Sequence, residues 1–199
     1  MKKHTILFLA ANPTGTPPAA LDRQARAIQQ ELEGSGSRDC FALETRFAAR
    51  PLDLLRELRK LQPTVVHFSG HGTQNGLYFE AAQGGAQLVS TAALAETFGA
   101  AGDSVQLVVL DACYSELQAE ALLAHVGCVV GVSGVIGADS ARSFAIGFYG
   151  GLGERASVAA AYQQGRAAIR LEGLPDGDRP QLKVRAGVDA KKLVLADPR

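Results

Sequence analysis

The sequence predicts an α/β fold with a mostly parallel central sheet and helices on both faces. Three observations lead there. Short apolar runs recur at residues 6–9 (ILFL), 65–68 (VVHF), 107–110 (LVVL) and 129–132 (VVGV). They do not alternate apolar with polar, which is the pattern of strands buried on both faces. Between them lie segments with apolar residues at helical spacing. The resulting β-α-β-α-β order is that of parallel strands joined by helical crossovers.

Each element has a local signal. The first run stops at Asn12-Pro13, a turn pair. Leu21, Ala25, Ile28 and Leu32 share one helical face, with Asp22, Arg23, Gln29 and Glu31 opposite and Gly34 as a stop. Residues 41–47 (FALETRF) alternate, as a less buried strand does. Leu52, Leu55, Leu58 and Leu61 mark the apolar stripe of a second helix, from Pro51 at its start to Pro63 beyond its end. Residues 77–79 and 87–89, joined by Gly84-Gly85, read as a hairpin inserted before a helix at 92–101. Further helical patterns cover 116–125, 140–150 and 156–171. The tail has two strand candidates, 182–185 and the more apolar 192–195.

Composition narrows the function. The 199 residues are 47% hydrophobic and 20% charged, which fits a single packed domain over 1–199 rather than disorder. Lys+Arg and Asp+Glu are both 20, so there is no basic surplus to neutralise phosphates. With no Trp and 6% aromatics there is no platform for stacking bases either, and nucleic acid is not expected as a partner. Three Cys, an odd number, argue against a secreted disulfide framework and suit a reducing cytoplasm. The apolar residues 6–11 are too few for a signal peptide core or a membrane span, so no membrane association is expected.

In an open α/β sheet, reactive groups collect beyond the carboxyl ends of the strands. His71 lies three residues past Phe68, and Cys113 three past Leu110. If those strands are neighbours, about 4.8 Å apart, the equal overshoot brings an imidazole and a thiol within reach. A thiol becomes a useful nucleophile beside a base. Gly70 and Gly72 flank the histidine and admit a substrate backbone. Ser115 and Gln118 have the spacing of a capping box, which would place Cys113 just before a helix N-terminus that favours the thiolate. Backbone N–H groups of Gly72 and Cys113 then offer an oxyanion hole. The chemistry indicated is acyl transfer, most commonly peptide hydrolysis.

Competing readings are weaker. Cys40 and Cys128 read as small buried hydrophobes, His67 as a satisfied core histidine, and His4 and His125 as solvated or capping groups. A zinc site from His71, Cys113, His125 and Cys128 lacks paired C-x-x-C knuckles, so no metal is assigned. Gly127, Gly131 and Gly134 are out of dinucleotide-motif order and there is no Walker A motif, so no cofactor is assigned. A phosphoacceptor domain would need acidic residues after the first strand, where Ala11-Asn12-Pro13 stands.

Taken together, residues 6–13 (ILFLAANP), Leu21-Asp22, 65–72 (VVHFSGHG), 108–118 (VVLDACYSELQ) and 144–152 resemble a CHAT domain, the caspase-like module. The resemblance implies a caspase-like three-layer sandwich around about six strands, with His71 as base and Cys113 as nucleophile. Caspases carry Gln-Ala-Cys with Gly two residues on. This chain has Asp111-Ala112-Cys113-Tyr114-Ser115, so it is not a true caspase. In this clan the residue two before the nucleophile lines the S1 pocket, and metacaspases with Asp there cut after Arg or Lys. The resemblance thus implies cleavage after a basic P1 residue held by Asp111, with Ser69 as a second S1 candidate. Asp111 could instead orient a loop or cap the following helix. The expected function is a cysteine endopeptidase acting on protein substrates in bacterial defence or regulated proteolysis, under a separate activating or sensor protein. The alternative is a non-catalytic CHAT-fold interaction module. Some clan members pair through their last strand, which makes residues 193–195 (LVL) the expected homodimer edge.

Overall fold

The computed structural model describes residues 3–16 and 20–196, in which nine strands and six α-helices form. The first half of the chain runs β1 (His4–Ala10), α1 (Leu21–Gly34), β2 (Phe41–Arg46), α2 (Pro51–Leu61) and β3 (Val65–Ser69). A small antiparallel unit follows: β4 (Gly72–Thr73), β5 (Gly76–Glu80) and β6 (Ala86–Ser90). The second half runs α3 (Thr91–Ala100), β7 (Leu107–Asp111), α4 (Glu116–Leu122), β8 (Cys128–Val132), α5 (Ala138–Gly153), α6 (Val158–Leu171) and β9 (Pro180–Val184).

The main sheet has the order β2-β1-β3-β7-β8-β9. Its first five strands are parallel, and β9 returns antiparallel against β8. Strand pleating sends successive side chains to opposite faces, and the two cores follow that alternation. Ile6, Phe8, Leu107, Val109 and Val130 pack with α1, α5 and α6. Leu7, Leu9, Val108, Leu110 and Val129 pack with α2, α3 and α4. Non-alternating apolar runs are what a sheet buried on both faces requires. Among the described residues no helix is long and apolar enough to cross a membrane.

Three expectations need correction, and one strand was missed. On α2 the buried leucines are Leu54 and Leu58, while Leu52 is 69% exposed. A strict i, i+3 stripe drifts around a helix of 3.6 residues per turn, and the i, i+4 pair stays on one face. Residues 192–195 form no strand: Val194 makes one isolated bridge to Ser157, and Leu195 is buried. The sheet ends on β9 instead, so residues 193–195 are not its last strand. His4 is buried rather than solvated, its Nδ1 3.2 Å from the Thr64 hydroxyl. Strand β4 was not legible at all, because two residues carry no period.

Candidate active site

Strands β3 and β7 are neighbours in register, with Phe68 opposite Leu110 and Ser69 opposite Asp111. His71 and Cys113 therefore leave the sheet two residues past a paired position, on adjacent strands at one sheet end. The ladder is prolonged by Gly70, whose N–H donates to Asp111 O at 3.1 Å. Beyond it, a Cβ on Gly72 would stand 2.6 Å from Cys113 O, so only a glycine lets β4 lie against the Cys113 loop. Tyr78 N–H donates to His71 O at 2.9 Å, which makes 71/78 a bonded pair and the adjacent Gly72–Leu77 pair a non-bonded one. The N–H of Gly72 thus points away from β5.

Two contacts orient the pair. His71 Nε2 lies 3.3 Å from Asn12 Oδ1, and the Asn12 N–H donates to Glu80 Oε1 at 3.1 Å. With the Asn12 oxygen accepting, Nε2 carries the proton and Nδ1 is the basic nitrogen. After Cys113 the chain turns through Tyr114 in the left-handed region, φ 59°, and the Tyr114 N–H is taken by Gly134 O at 2.8 Å. That ties the cysteine loop to the end of β8.

The expected capping box does not form. Ser115 occupies the N-cap position of α4, but its buried hydroxyl donates to Leu110 O and accepts from Val132 N–H, both at 3.0 Å. Gln118 also turns elsewhere, donating to Thr91 Oγ1 at 2.7 Å and Gln74 O at 3.2 Å. Ser115 is buried between β7 and β8, so strand ends compete successfully for its hydroxyl.

Asp111 and Ser69 meet below the histidine and cysteine, and a third residue joins them. Gln24 Nε2 donates to Asp111 Oδ2 at 2.6 Å, while the Ser69 hydroxyl lies 2.5 Å from Gln24 Oε1 and 3.1 Å from Asp111 Oδ2. Burial pushes the Asp111 carboxyl above its ordinary range, and the bonds from Gln24 and Ser69 pull it partly back. Beneath this cluster the His67 Nδ1 and Tyr149 hydroxyl are 2.9 Å apart, and the His67 ring stacks on Phe8. Burial lowers His67 to about 3, so it is neutral, and its Nε2 has no partner among the described residues. The expected core histidine is therefore only half satisfied.

A cavity of about 330 Å³ opens over these groups, lined by His71, Cys113, Asp111, Ser69 and Gln24, with Arg23, Asp139 and Arg142 also on its wall. All three cysteines are free thiols. Cys128 is fully buried in the α1/α5/α6 core and pushed up to about 11 by burial, as an inert thiol should be. The four residues of the zinc alternative do not converge: His125 lies over Gly99 of α3 while Cys128 faces the opposite layer. Gly131 serves packing, since a Cβ there would meet Ala119 of α4 at 2.8 Å. Sequence reasoning missed Asn12 and Gln24. The available signal for Gln24 was a polar residue on the Leu21–Ala25–Ile28 stripe, and it is 5% exposed.

A family model described as the CHAT domain matches residues 6–182. A "Roc-COR-CHAT protease" from an unknown prokaryotic organism is 27% identical over 180 residues, covering 85% of this chain. The chain spans only 17% of that relative's length. Among solved structures, the secreted C11 cysteine protease from Bacteroides thetaiotaomicron, in complex with an irreversible peptide inhibitor, superposes with a TM-score of 0.60 at 12% identity. That likeness covers 92% of this chain and 66% of the protease chain, and at such identity it speaks for a shared caspase-like fold alone. The family match spans the sheet from β1 to β9 and includes both His71 and Cys113: the chain belongs to the CHAT domain family.

Proposed function

We propose that the protein is a caspase-like cysteine endopeptidase that cuts protein substrates after a basic P1 residue. The carrying observation is the register of β3 and β7, with His71 and Cys113 lining one cavity together with the half-buried Asp111 carboxylate. His71 Nδ1 takes the Cys113 proton, and the sulfur attacks the scissile carbonyl carbon. The oxyanion sits on the N–H groups of Gly72 and Cys113. His71 returns the proton to the leaving amine, and water, deprotonated by His71, hydrolyses the thioester and regenerates the thiol.

Basic P1 selectivity follows from charge. The hydrogen-bond partners of Asp111, Gln24 and Ser69, are both neutral. A half-buried carboxylate with neutral partners gains from a cation. The setting is regulated proteolysis such as bacterial defence, in the cytoplasm, with a separate protein supplying activation. The test is hydrolysis of peptides carrying Arg, Lys, Asp or Leu at P1. Turnover of Arg and Lys peptides is expected, with loss of at least a thousandfold in Cys113→Ala and His71→Ala. Preferred cleavage after Asp or Leu would refute the P1 assignment. Undiminished turnover in Cys113→Ala would refute the mechanism. A folded protein that turns over none of the peptides would favour the interaction-module reading.

A further inference from the structure

The buried amide of Gln24 is the polar group in the cavity floor that the proposed mechanism leaves unused. It reaches the floor from α1, an element with no part in the His71–Cys113 pair, and both of its ends are engaged. Nε2 donates to Asp111 Oδ2 at 2.6 Å and lies 3.4 Å from Ala141 O, and Oε1 receives the Ser69 hydroxyl at 2.5 Å. Asp111 Oδ1 makes no hydrogen bond among the described residues.

We propose that Gln24 is a specificity-determining residue that makes the cavity select Arg over Lys at P1. The inference rests on the reading of this cavity as the S1 pocket. A guanidinium is a planar fork of five N–H donors. Two of them pair with the Asp111 carboxylate side by side, displacing the Gln24 amide nitrogen from Oδ2. The N–H groups left over need further acceptors at the same depth. Gln24 Oε1 and Ala141 O are the neutral acceptors beside the carboxylate. A lysine ammonium has three donors on a single atom. The two Asp111 oxygens and the Ser69 hydroxyl satisfy all three without the amide. Gln24 therefore works in two positions: it donates to Asp111 while the pocket is free of substrate, and it accepts from the guanidinium when an arginine is bound. Removing its acceptor harms arginine binding selectively.

The experiment compares kcat/KM for otherwise identical Arg and Lys P1 peptides in the wild type, Gln24→Leu and Gln24→Glu, with Tm recorded for each. The wild type is expected to favour Arg by about tenfold, the worth of one hydrogen bond to a charged group. Gln24→Leu should lower the Arg value about tenfold and the Lys value less than about threefold, erasing the preference. Gln24→Glu keeps an acceptor oxygen and should keep the preference. An Arg:Lys ratio that is unchanged in Gln24→Leu would overturn the role of Gln24 and leave the protease reading standing. No turnover of any basic peptide by the wild type would overturn the protease reading itself. Should Gln24→Leu fail to fold, Gln24→Met, unbranched and of equal length, carries the same comparison with the same two outcomes.

Discussion

In the proposed protease, Asp111 serves stability poorly and recognition well. Its carboxyl is half-buried and answered by an amide and a hydroxyl rather than by a cation. With its folded pKa raised above the ordinary 3.8, the folded chain keeps a proton there that the unfolded chain has lost. Stability therefore falls as pH rises through that window. Under the proposed function, binding of a basic P1 side chain runs the other way, because it needs the ionised carboxylate. The expected outcome is a KM for a P1-Arg peptide that drops as pH rises through the Asp111 titration, with kcat changing less. In Asp111→Asn, KM should be high and independent of pH. A wild-type KM that does not change with pH would detach Asp111 from substrate binding. The residue itself, which lines the cavity, was singled out by the family resemblance, from its place two before Cys113. Its partner Gln24 was not, because α1 lies 87 positions away in sequence and only the fold brings it to the floor.

At the scale of elements, strands were legible and the details of helix ends were not. Apolar runs predicted β1, β3, β7 and β8 because a sheet covered on both faces leaves no room for alternation. Helix α2 was found from its prolines, yet its buried face was misread, since a three-residue spacing fits four leucines by coincidence. Ser115 illustrates the limit of local motifs. Its spacing to Gln118 suits a capping box, but the hydroxyl joins the ends of β7 and β8 instead. That assignment has a consequence. Ser115→Ala leaves a buried carbonyl at Leu110 and a buried N–H at Val132 without partners, a cost of about 1–3 kcal/mol per group. A fall in Tm of several degrees is expected by calorimetry. A Tm within about one degree of wild type would mean the bridge between the strand ends contributes nothing.

For the whole molecule, burial of neutral His67 beneath the site makes stability fall on the acid side. Its folded pKa is about 3 against an ordinary 6.5, so below pH 6.5 the unfolded chain binds a proton that the folded chain refuses. Stability is full above that value and is lost as pH falls from 6.5 towards 3, by about 1.4 kcal/mol per pH unit. His67→Gln removes the titrating group, and its Tm should decline less steeply than wild type across that range. Parallel Tm–pH curves for the two proteins would show that other groups dominate acid unfolding. The sequence placed His67 in the core. It could not show that the ring stacks on Phe8 and meets Tyr149, because both contacts depend on strand order and on how α5 packs.

The central claim is that sheet register makes Cys113 a nucleophile served by His71. The most direct measurement is intact-protein and peptide mass spectrometry after exposure to a thiol-reactive peptide inhibitor with Arg at P1. One adduct on Cys113 is expected, greatly slowed in His71→Ala and absent in Cys113→Ala. An adduct formed equally fast without His71, or formed on Cys40 while Cys113 stays free, would contradict the account.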